Sequence, residues 1–201
     1  ISTDEVFGSL TKNEKSFSEN SQYKPNNPYS ASKAAGDHLI RSYFKTFHFP
    51  SIVTNCSNNF GPYQNNEKLI PLVLEKIKRN IKIPIYGNGK QIRDWLYVRD
   101  HCEAIKLVIE KGKIGETYNI GGDNEIENIK LIKTIMKIYS EIEVSKKYSD
   151  LLKLISFVQD RKGHDVRYSI NSLKIKKKLK WKICSNFYDQ LRDTILWYLN
   201  R

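Results

Sequence analysis

Two short segments of the chain hold residues whose types and spacing could perform acid–base chemistry. In the first, Tyr29 and Lys33 are four positions apart in the run YSASK, so a helix would place the phenol and the ammonium on one face. A phenol titrates at about pH 10, and a neighbouring cation lowers its pKa toward neutrality. The pair could therefore act as a base, although the same spacing is common on solvated helix faces.

The second segment is residues 2–8, STDEVFG, in which the hydroxyl of Thr3 precedes two adjacent carboxylates, Asp4 and Glu5. Where a strand ends, both carboxylates can turn toward one crevice at the edge of a sheet. Taken alone, the segment is explained equally well by a capped turn. Four further motifs accompany it along the chain, namely NNFGPY at 58–63, RDW at 93–95, YNIGG at 118–122 and GHDVRY at 163–168. This combination favours a shared site.

Strands and helices alternate along the chain. Apolar periodicity predicts helices at 29–47, 68–79 and 126–139, a further helix capped by Asp100 and ended by 111–112, and two terminal helices. β-rich runs predict strands at 51–56, 81–86, 91–98 and 116–120, with short β-like pieces at 155–158 and 166–170. The second and third of these strands flank GNGK, which reads as a hairpin-like turn. This order predicts a parallel α/β sheet with a smaller second lobe.

Composition narrows the class of protein. The 201 residues include 34 Lys or Arg and 22 Asp or Glu, giving a net charge of +12, with 39% hydrophobic residues. Because the lysines are scattered and no nucleic-acid-binding motif accompanies them, a solvated surface explains the charge better than a nucleic-acid site. The three cysteines form no metal or disulfide pattern. Neither a membrane span nor a signal peptide is predicted, so we expect a cytoplasmic protein.

Together the motifs resemble the extended short-chain dehydrogenase/reductases, and most closely the dTDP-glucose 4,6-dehydratases. The resemblance runs from Ile1 to Arg201. The Tyr-x-x-x-Lys pair is shared by the whole superfamily, whereas the run Thr3, Asp4, Glu5 is specific, because related epimerases and decarboxylases typically lack the two acids there. It implies the second half of a Rossmann-like, doubly wound parallel sheet at 1–61 and 95–121, and a smaller α/β nucleotide-sugar-binding domain at 62–94 and 122–201.

The resemblance also implies a mechanism. Tyr29, with a pKa lowered by Lys33, takes the proton of the sugar 4-hydroxyl while hydride passes to NAD, and Thr3 hydrogen-bonds the same oxygen. The resulting 4-ketone acidifies carbon 5, whose proton Glu5 removes, while a protonated Asp4 supplies a proton to the departing 6-hydroxyl. Hydride then returns from NADH to carbon 6 and a proton is added to carbon 5, which regenerates NAD. Two adjacent carboxylates with opposite roles need different surroundings, so we expect the pKa of Asp4 to be raised.

Binding residues are implied in the same way. Those implied for the nucleotide sugar are Asn58, Lys68, Leu69, Pro84, Tyr86, Arg93, Asn128, Arg161 and His164. Arg93 and Arg161 suit the diphosphate because a guanidinium pairs with two oxygens at once. A surface role for Lys68, Tyr86 and Asn128, and a core role for Leu69 and Pro84, remain open. Those implied for the cofactor are Ser2, Tyr29, Lys33, Cys56 and Asn59. No metal is expected, since His164 has no second ligand at a suitable spacing.

The sequence departs from the family pattern in several places. No Gly-x-x-Gly-x-x-Gly loop follows a strand, so we expect upstream sequence to hold the adenosine and pyrophosphate sites, and the 201 residues alone to be inactive. Phe7 replaces the usual Tyr and Lys162 the usual Pro, and the family's segment after the last helix is missing.

Several alternatives stay open. They are UDP-glucose as substrate, a 4-epimerase or decarboxylase, and a non-enzymatic scaffold or basic nucleic-acid-binding module. Relatives commonly form homodimers through the helix that bears Tyr29. The aromatic residues Tyr43, Phe44 and Phe47 fit such an interface, although core burial would also explain them. We expect no membrane partner.

Overall fold

The computed structural model describes residues 1–161 and 163–200. Lys162, one of the departures from the family pattern, lies outside them. The strands are β1 (Ser2–Thr3), β2 (Val53–Cys56), β3 (Asn58–Phe60), β4 (Ile83–Tyr86), β5 (Ile92–Tyr97), β6 (Thr117–Ile120), β7 (Glu125–Glu127) and β8 (Ile155–Val158). The helices are α1 (Pro28–Phe47), α2 (Leu69–Lys78), α3 (Val98–Lys111), α4 (Asn128–Ile142), α5 (Tyr148–Leu152), α6 (Leu173–Leu179) and α7 (Phe187–Leu199). No described helix is both long enough and apolar enough to cross a membrane.

The described chain divides into two compact units. The first unit comprises Ile1–Asn59, Arg93–Glu125 and Asp165–Cys184, and the second comprises Phe60–Ile92, Ile126–His164 and Ser185–Arg201. The division differs from the predicted domains chiefly at residues 165–184, which the sequence placed in the smaller lobe. They pack in the first unit because Ile170 bridges to Phe17 and Trp181 is buried in its core.

The first unit is built on a parallel sheet of order β1-β2-β6. Ser2 aligns with Asn55, and Val53 aligns with Thr117, so the carboxyl ends of all three strands lie at one edge. A core cluster that includes Leu96, Ile120 and the fully buried Trp181 fills the space under α3 and α6. The sheet thereby presents the residues after Thr3 and Cys56 at its carboxyl edge, where ligands bind in open α/β sheets. This confirms the predicted parallel α/β fold.

Helix α1 begins at a strong local signal. The Asn27 side chain accepts a hydrogen bond from the Ser30 amide at 2.8 Å, and Pro28 occupies the first helical position. Asparagine is a favoured N-cap and proline tolerates the first turn because its missing N–H would have no partner there. The cap therefore fixes where the helix starts and places Tyr29 in its first turn.

The second unit pairs β4 with β8 in parallel and covers them with helices. Its core is formed by apolar side chains of α2, α4 and α7, among them Ile70, Ile77, Ile135, Met136 and Ile195, all of which are fully buried. The sequence prediction of a hairpin-like turn at GNGK was wrong. Within the described residues β4 pairs with β8 while β5 lies between β3 and β7, so the run GNGK does not close a hairpin.

Asp100 does not cap α3. The helix begins at Val98, two residues earlier, and the Asp100 carboxylate accepts the amide of Cys184 at 3.0 Å. The β-like piece at 166–170 does not form a strand and holds isolated bridge residues only, among them Ile170, which pairs with Phe17. Both errors arise because the deciding partner lies far away in the sequence.

Candidate functional site

The acidic pair lies where β1 ends. After Thr3 the chain enters a 3-10 turn over Asp4–Phe7, and the Thr3 hydroxyl accepts the amide of Glu5 at 3.3 Å. Gly8 closes the turn at φ 90, and a Cβ there would lie 2.5 Å from the carbonyl oxygen of Lys24. Glycine is required at this position because other residues rarely adopt a positive φ. The turn replaces strand alternation and gives Asp4 and Glu5 different surroundings.

Asp4 is enclosed by protein. Its residue is 3% exposed, and its Oδ2 has no hydrogen-bond partner within the described residues. Burial, followed by the charges of Asp94 and Glu5, raises the pKa of Asp4 to about 8, against an opposing effect of Arg93. A carboxyl in these surroundings is protonated at neutral pH and can donate a proton. The raised pKa expected from the sequence is therefore present.

Asp94 is held in place by the glycine motif that follows β6. Its Oδ2 accepts the amide of Gly122 at 2.8 Å and its Oδ1 accepts the amide of Asn124 at 2.7 Å. A Cβ at Gly122 would lie 1.9 Å from the Trp95 carbonyl oxygen, so this close approach of two backbones needs glycine. The motifs RDW and YNIGG thus build one structure, whose carboxylate acts electrostatically on Asp4.

Glu5 is held by hydrogen-bond donors. Its Oε2 accepts the Ser30 hydroxyl at 3.1 Å and the Asn27 side-chain amide at 3.4 Å. Both donors belong to the start of α1, so the helix cap also orients this carboxylate. The two adjacent acids are therefore differentiated by burial on one side and by donors on the other.

Tyr29 and Lys33 lie on α1 as the spacing predicts. Tyr29 is 56% exposed, and burial of part of the ring, then the charges of Glu5, Cys56 and Asp4, raise its pKa. These contributions oppose the lowering expected from Lys33. The Lys33 ammonium donates to the carbonyl oxygen of Ile1 at 2.8 Å, which ties the helix to the start of β1.

The end of β2 presents a thiol and an amide in a chain of hydrogen bonds. The Cys56 thiol donates to the Ser2 carbonyl oxygen at 3.4 Å and accepts from Asn59 Nδ2 at 3.4 Å. Burial raises the pKa of Cys56 to about 12, so the thiol is neutral and unreactive. Asn59 Oδ1 lies 2.8 Å from His101 Nδ1, and burial lowers the pKa of His101 to about 4. Neutral His101 donates this bond, because Asn59 Oδ1 can only accept.

Two further residues predicted from the sequence lie in the same unit. The Asn58 side-chain oxygen is buried and has no hydrogen-bond partner within the described residues, so it fits a ligand that brings an N–H or O–H donor. The Ser2 hydroxyl instead donates to Asp37 Oδ2 at 2.7 Å. In this structure Ser2 anchors α1 with its side chain and the Cys56 thiol with its backbone.

Arg93 is 7% exposed and sits in a polar cluster of the first unit. Its Nη2 donates to the Asp165 carbonyl oxygen at 2.9 Å, and its guanidinium lies 4.3 Å from the centre of the Tyr168 ring. Asp165 in turn accepts the Tyr168 hydroxyl and, at 2.6 Å, the Asn26 amide. These contacts hold the guanidinium in one orientation, and its charge lowers the pKa of Asp4.

The second unit brings together a separate set of predicted binding residues. The Arg161 guanidinium lies 4.9 Å from the centre of the Tyr86 ring and its Nη2 is 3.0 Å from His164 Nε2. His164 Nδ1 is 2.6 Å from Asp160 Oδ1. A neutral imidazole with its proton on Nδ1 satisfies both contacts, because it donates to the carboxylate and accepts from the guanidinium. The cluster fixes the plane of Arg161.

The remaining predicted binding residues of the second unit are less constrained. Lys68 occupies the N-cap position of α2 without a side-chain capping bond, and its ammonium pairs with Glu67 at 3.5 Å on the surface. Leu69 is the first residue of that helix. Pro84 is part of β4. Asn128 begins α4, and its side-chain oxygen is buried without a partner within the described residues. Among the described residues no group of three or more His, Cys, Asp or Glu could hold a metal ion.

The chain is similar to known proteins along nearly its whole length. The profile of the family described as GDP-mannose 4,6 dehydratase matches residues 1–194. The chain belongs to this family. The dTDP-glucose 4,6-dehydratase of Neisseria meningitidis serogroup B is 49% identical over 205 residues, covering 100% of this chain and 57% of that protein. The resemblance inferred from the motifs is thereby confirmed.

Solved structures of the family agree with the fold. The dTDP-glucose 4,6-dehydratase of Bacillus anthracis, solved in complex with NAD, matches with a TM-score of 0.89 at 45% identity over 99% of this chain and 60% of that one. The enzyme of Streptomyces venezuelae, solved with NAD and TYD, matches with a TM-score of 0.90 at 39% identity over 99% of this chain and 58% of that one. The Rossmann-like fold is therefore established, and the chain spans under two thirds of each relative's length.

Sequence reasoning assigned no individual role to four residues that shape the site, namely Asn27, Ser30, Asp94 and His101, although Asp94 belongs to the motif RDW. Asn27 had a local signal, since an asparagine directly before proline at a helix start is typical of an N-cap. Ser30 could be identified from the same cap, because its amide, three residues after Asn27, is the group that the Asn27 side chain accepts. Asp94 and His101 act through partners distant in sequence, so no local pattern distinguishes them.

Proposed function

We propose that the whole protein is an NAD-dependent dTDP-glucose 4,6-dehydratase, and that this chain supplies the residues that act on the hexose. The observation that carries the proposal is the difference between Asp4 and Glu5. One carboxyl is buried with a pKa of about 8, and its neighbour accepts two hydrogen bonds from the start of α1. Elimination of water needs an acid and a base at neighbouring atoms, and this pair supplies both.

Tyr29 is proposed to accept the proton of the sugar 4-hydroxyl, with Thr3 as hydrogen-bond partner of the same oxygen. In the protein alone, burial and three neighbouring acidic groups raise the pKa of Tyr29. The role therefore needs positive charge to act on the ring when the ligands are bound, and the ammonium of Lys33, four residues along the same helix, is its proposed source on this chain. Its ammonium is held near the start of β1 by the Ile1 carbonyl oxygen.

Glu5 is proposed to remove the proton at carbon 5 once carbon 4 is a ketone. The Ser30 hydroxyl and the Asn27 amide hold the carboxylate in position and leave its other oxygen for the substrate. Asp4 then donates its proton to the departing 6-hydroxyl. The order is physically reasonable because the proton at carbon 5 becomes acidic only next to a carbonyl group.

The cofactor implied is NAD, which when bound accepts hydride from carbon 4 and returns it to carbon 6. Residues at the end of β2 fit its nicotinamide end. Cys56 offers an unreactive thiol, and Asn59 is fixed by the Ser57 carbonyl oxygen and by His101. The buried, unpartnered oxygen of Asn58 suits a donor from the cofactor or from the sugar.

The diphosphate is proposed to contact Arg161, whose guanidinium plane is set by Tyr86 and His164. Arg93 is a proposed second ligand, with part of its donor capacity already used by the Asp165 carbonyl oxygen. Lys68, Leu69, Pro84 and Asn128 are proposed to line the rest of the nucleotide-sugar pocket. The planar guanidinium of an arginine can pair with two phosphate oxygens at once, which suits a diphosphate.

We also propose a homodimer formed through α1. This helix exposes large apolar side chains, with Leu39 at 60%, Tyr43 at 51% and Phe47 at 69%. An apolar patch on one helix face is typical of a helix–helix interface. Analytical ultracentrifugation of the whole protein should show a dimer that Tyr43→Glu dissociates, and a monomeric wild type would contradict it.

Incubating the whole protein separately with dTDP-glucose and UDP-glucose tests the function. We expect a 4-keto-6-deoxy product, detected by absorbance in alkali and by loss of one water in mass spectrometry, to form faster from dTDP-glucose. A product of unchanged mass would indicate a 4-epimerase instead. Faster conversion of UDP-glucose would change the proposed nucleotide preference but leave the proposed reaction unchanged.

A further inference from the structure

Within the described residues, α1 contacts the sheet through few buried apolar side chains. Of its twenty described residues only Ser30 and Ala34 are buried, and neither fills much volume. Large side chains that interlock across a helix interface normally fix how far the helix can slide along its axis. Small buried residues fix it weakly. Among the described contacts, directional hydrogen bonds are therefore the main ones that set the axial position of the helix that carries Tyr29 and Lys33.

One carboxylate supplies most of these bonds. Asp37 lies one turn after Lys33 and two turns after Tyr29, so all three share a helix face. Its Oδ2 accepts the Ser2 hydroxyl at 2.7 Å, the Tyr23 hydroxyl at 3.0 Å and the Asn55 side-chain amide at 3.4 Å. The three donors come from β1, from the loop before α1 and from β2.

The donors lead directly to the acidic segment. The fully buried Asn55 uses the same side-chain amide to donate to the Thr3 carbonyl oxygen at 3.3 Å. Tyr23 packs edge-on against Phe7, with ring centroids 5.2 Å apart, at the end of the 3-10 turn. Asp37 is thus connected to both ends of the segment that holds Asp4 and Glu5.

We propose that Asp37 is a positioning residue for the reaction, because its carboxylate locks α1 in register with β1 and so fixes the phenol of Tyr29 relative to Thr3, Asp4 and Glu5. Hydrogen bonds to a charged acceptor are stronger and shorter than neutral ones, which suits a group that must hold a helix in place. A displacement of about 1 Å can reduce a rate by about 100-fold. The inference rests on the function proposed above.

Asp37→Asn in the whole protein tests the role, since the amide keeps the shape but loses the charge. We expect kcat for dTDP-glucose to fall about 10- to 100-fold with KM changed less than about 3-fold. The primary isotope effect with substrate deuterated at carbon 4 should rise, because misplacement of Tyr29 makes oxidation limiting. Tyr23→Phe removes one donor and should give a smaller change in the same direction, which keeps the test valid if Asp37→Asn does not fold.

Asp100→Asn is the matched control. Asp100 is also a buried helical carboxylate that accepts a hydrogen bond from another segment, the amide of Cys184. It should lose stability but keep kcat and the isotope effect. If both variants behave alike, or if Asp37→Asn lowers thermal stability while kcat per active site and the isotope effect stay unchanged, Asp37 is merely structural and the inference fails.

A readout that does not need turnover separates this inference from the proposed function. The 13Cζ resonance of Tyr29, in protein labelled on tyrosine, should shift in Asp37→Asn and stay in place in Asp100→Asn. Should the wild type fail to convert dTDP-glucose, the proposed function is lost and this resonance alone decides on Asp37. An unmoved resonance overturns the positioning role.

Discussion

The end of β1 and the start of α1 lie in one unit but differ in how much solvent reaches their ionisable groups. At the end of β1, Asp4 is 3% exposed and has one oxygen without a partner. At the start of α1, Tyr29 is 56% exposed, and its position depends on the helix. Burial and the charges of Asp94 and Glu5 raise the pKa of Asp4, which suits its proposed role as an acid, whereas the raised pKa of Tyr29 opposes its proposed role as a base.

The two segments are nevertheless one structure. Asn27 caps α1 through the Ser30 amide, and both residues also donate to Glu5. Lys33 and Asp37 each reach back to β1, at the Ile1 carbonyl oxygen and the Ser2 hydroxyl. The helix therefore both orients one acid and receives its own position from the strand.

Of these substitutions, Tyr29→Phe in α1 should lower kcat the most. Without the phenol the 4-hydroxyl proton has no acceptor, so we expect kcat to fall about 1000-fold, within the range for a lost acid–base group. Product absorbance in alkali measures it. Tyr43→Phe, at another exposed tyrosine of α1, should stay within about 2-fold of wild type. A Tyr29→Phe enzyme retaining a tenth of the activity would exclude the base role.

Asp4→Asn, at the end of β1, should slow a later step of the reaction, the elimination of water. The amide cannot donate a proton to the departing hydroxyl, so elimination should slow about 100-fold while oxidation at carbon 4 continues. Reduced cofactor bound to the protein should therefore accumulate during the first turnover, visible as absorbance near 340 nm, a standard spectroscopic signal of NADH. Wild-type elimination rates in this variant would remove Asp4 as the acid.

The pH dependence of elimination is a second test of Asp4 as the acid. The pKa of Asp4 is raised to about 8, so the proton-donating form is present below about pH 8 and is lost as the pH rises through that value. Elimination measured in single turnovers should fall about tenfold per pH unit above it. Asp4→Asn should lack this descending limb. A wild-type rate that stays level to pH 10 would contradict the assignment.

The sequence was most informative where structure is decided locally. The periodicity of α1 and α2, and the parallel order of strands and helices, were predictable because the deciding residues are neighbours along the chain. The hairpin at 81–98 was wrong because β4 pairs with β8, more than sixty residues later. Residues 165–184 were assigned to the wrong neighbours for the same reason, since Trp181 packs under α3 and α6.

The same distinction between local and distant determinants holds for the site. The roles implied by the family resemblance predict that Asp4 and Glu5 differ, but they do not show how. The raised pKa of Asp4 comes from enclosure and from Asp94, ninety residues away, which Gly122 and Asn124 hold in turn. Asp37 likewise has an ordinary position in a helical pattern, and its role depends on donors from three segments. Such convergence is a property of the fold and leaves no local trace.

The smallest expected effect compares two helix caps. Asn27→Ala and Asn186→Ala each remove a side chain that accepts an amide three residues later, at 2.8 Å in α1 and 3.0 Å in α7. Each should reduce the free energy of unfolding by about 1 kcal/mol, measured by urea denaturation. Asn27 also donates to Glu5, so Asn27→Ala should lower the rate of elimination a further few-fold, whereas Asn186→Ala should leave it unchanged. Equal rates in the two variants would mean that the cap holds the helix without orienting Glu5, and the base would then depend on Ser30 alone among the described donors.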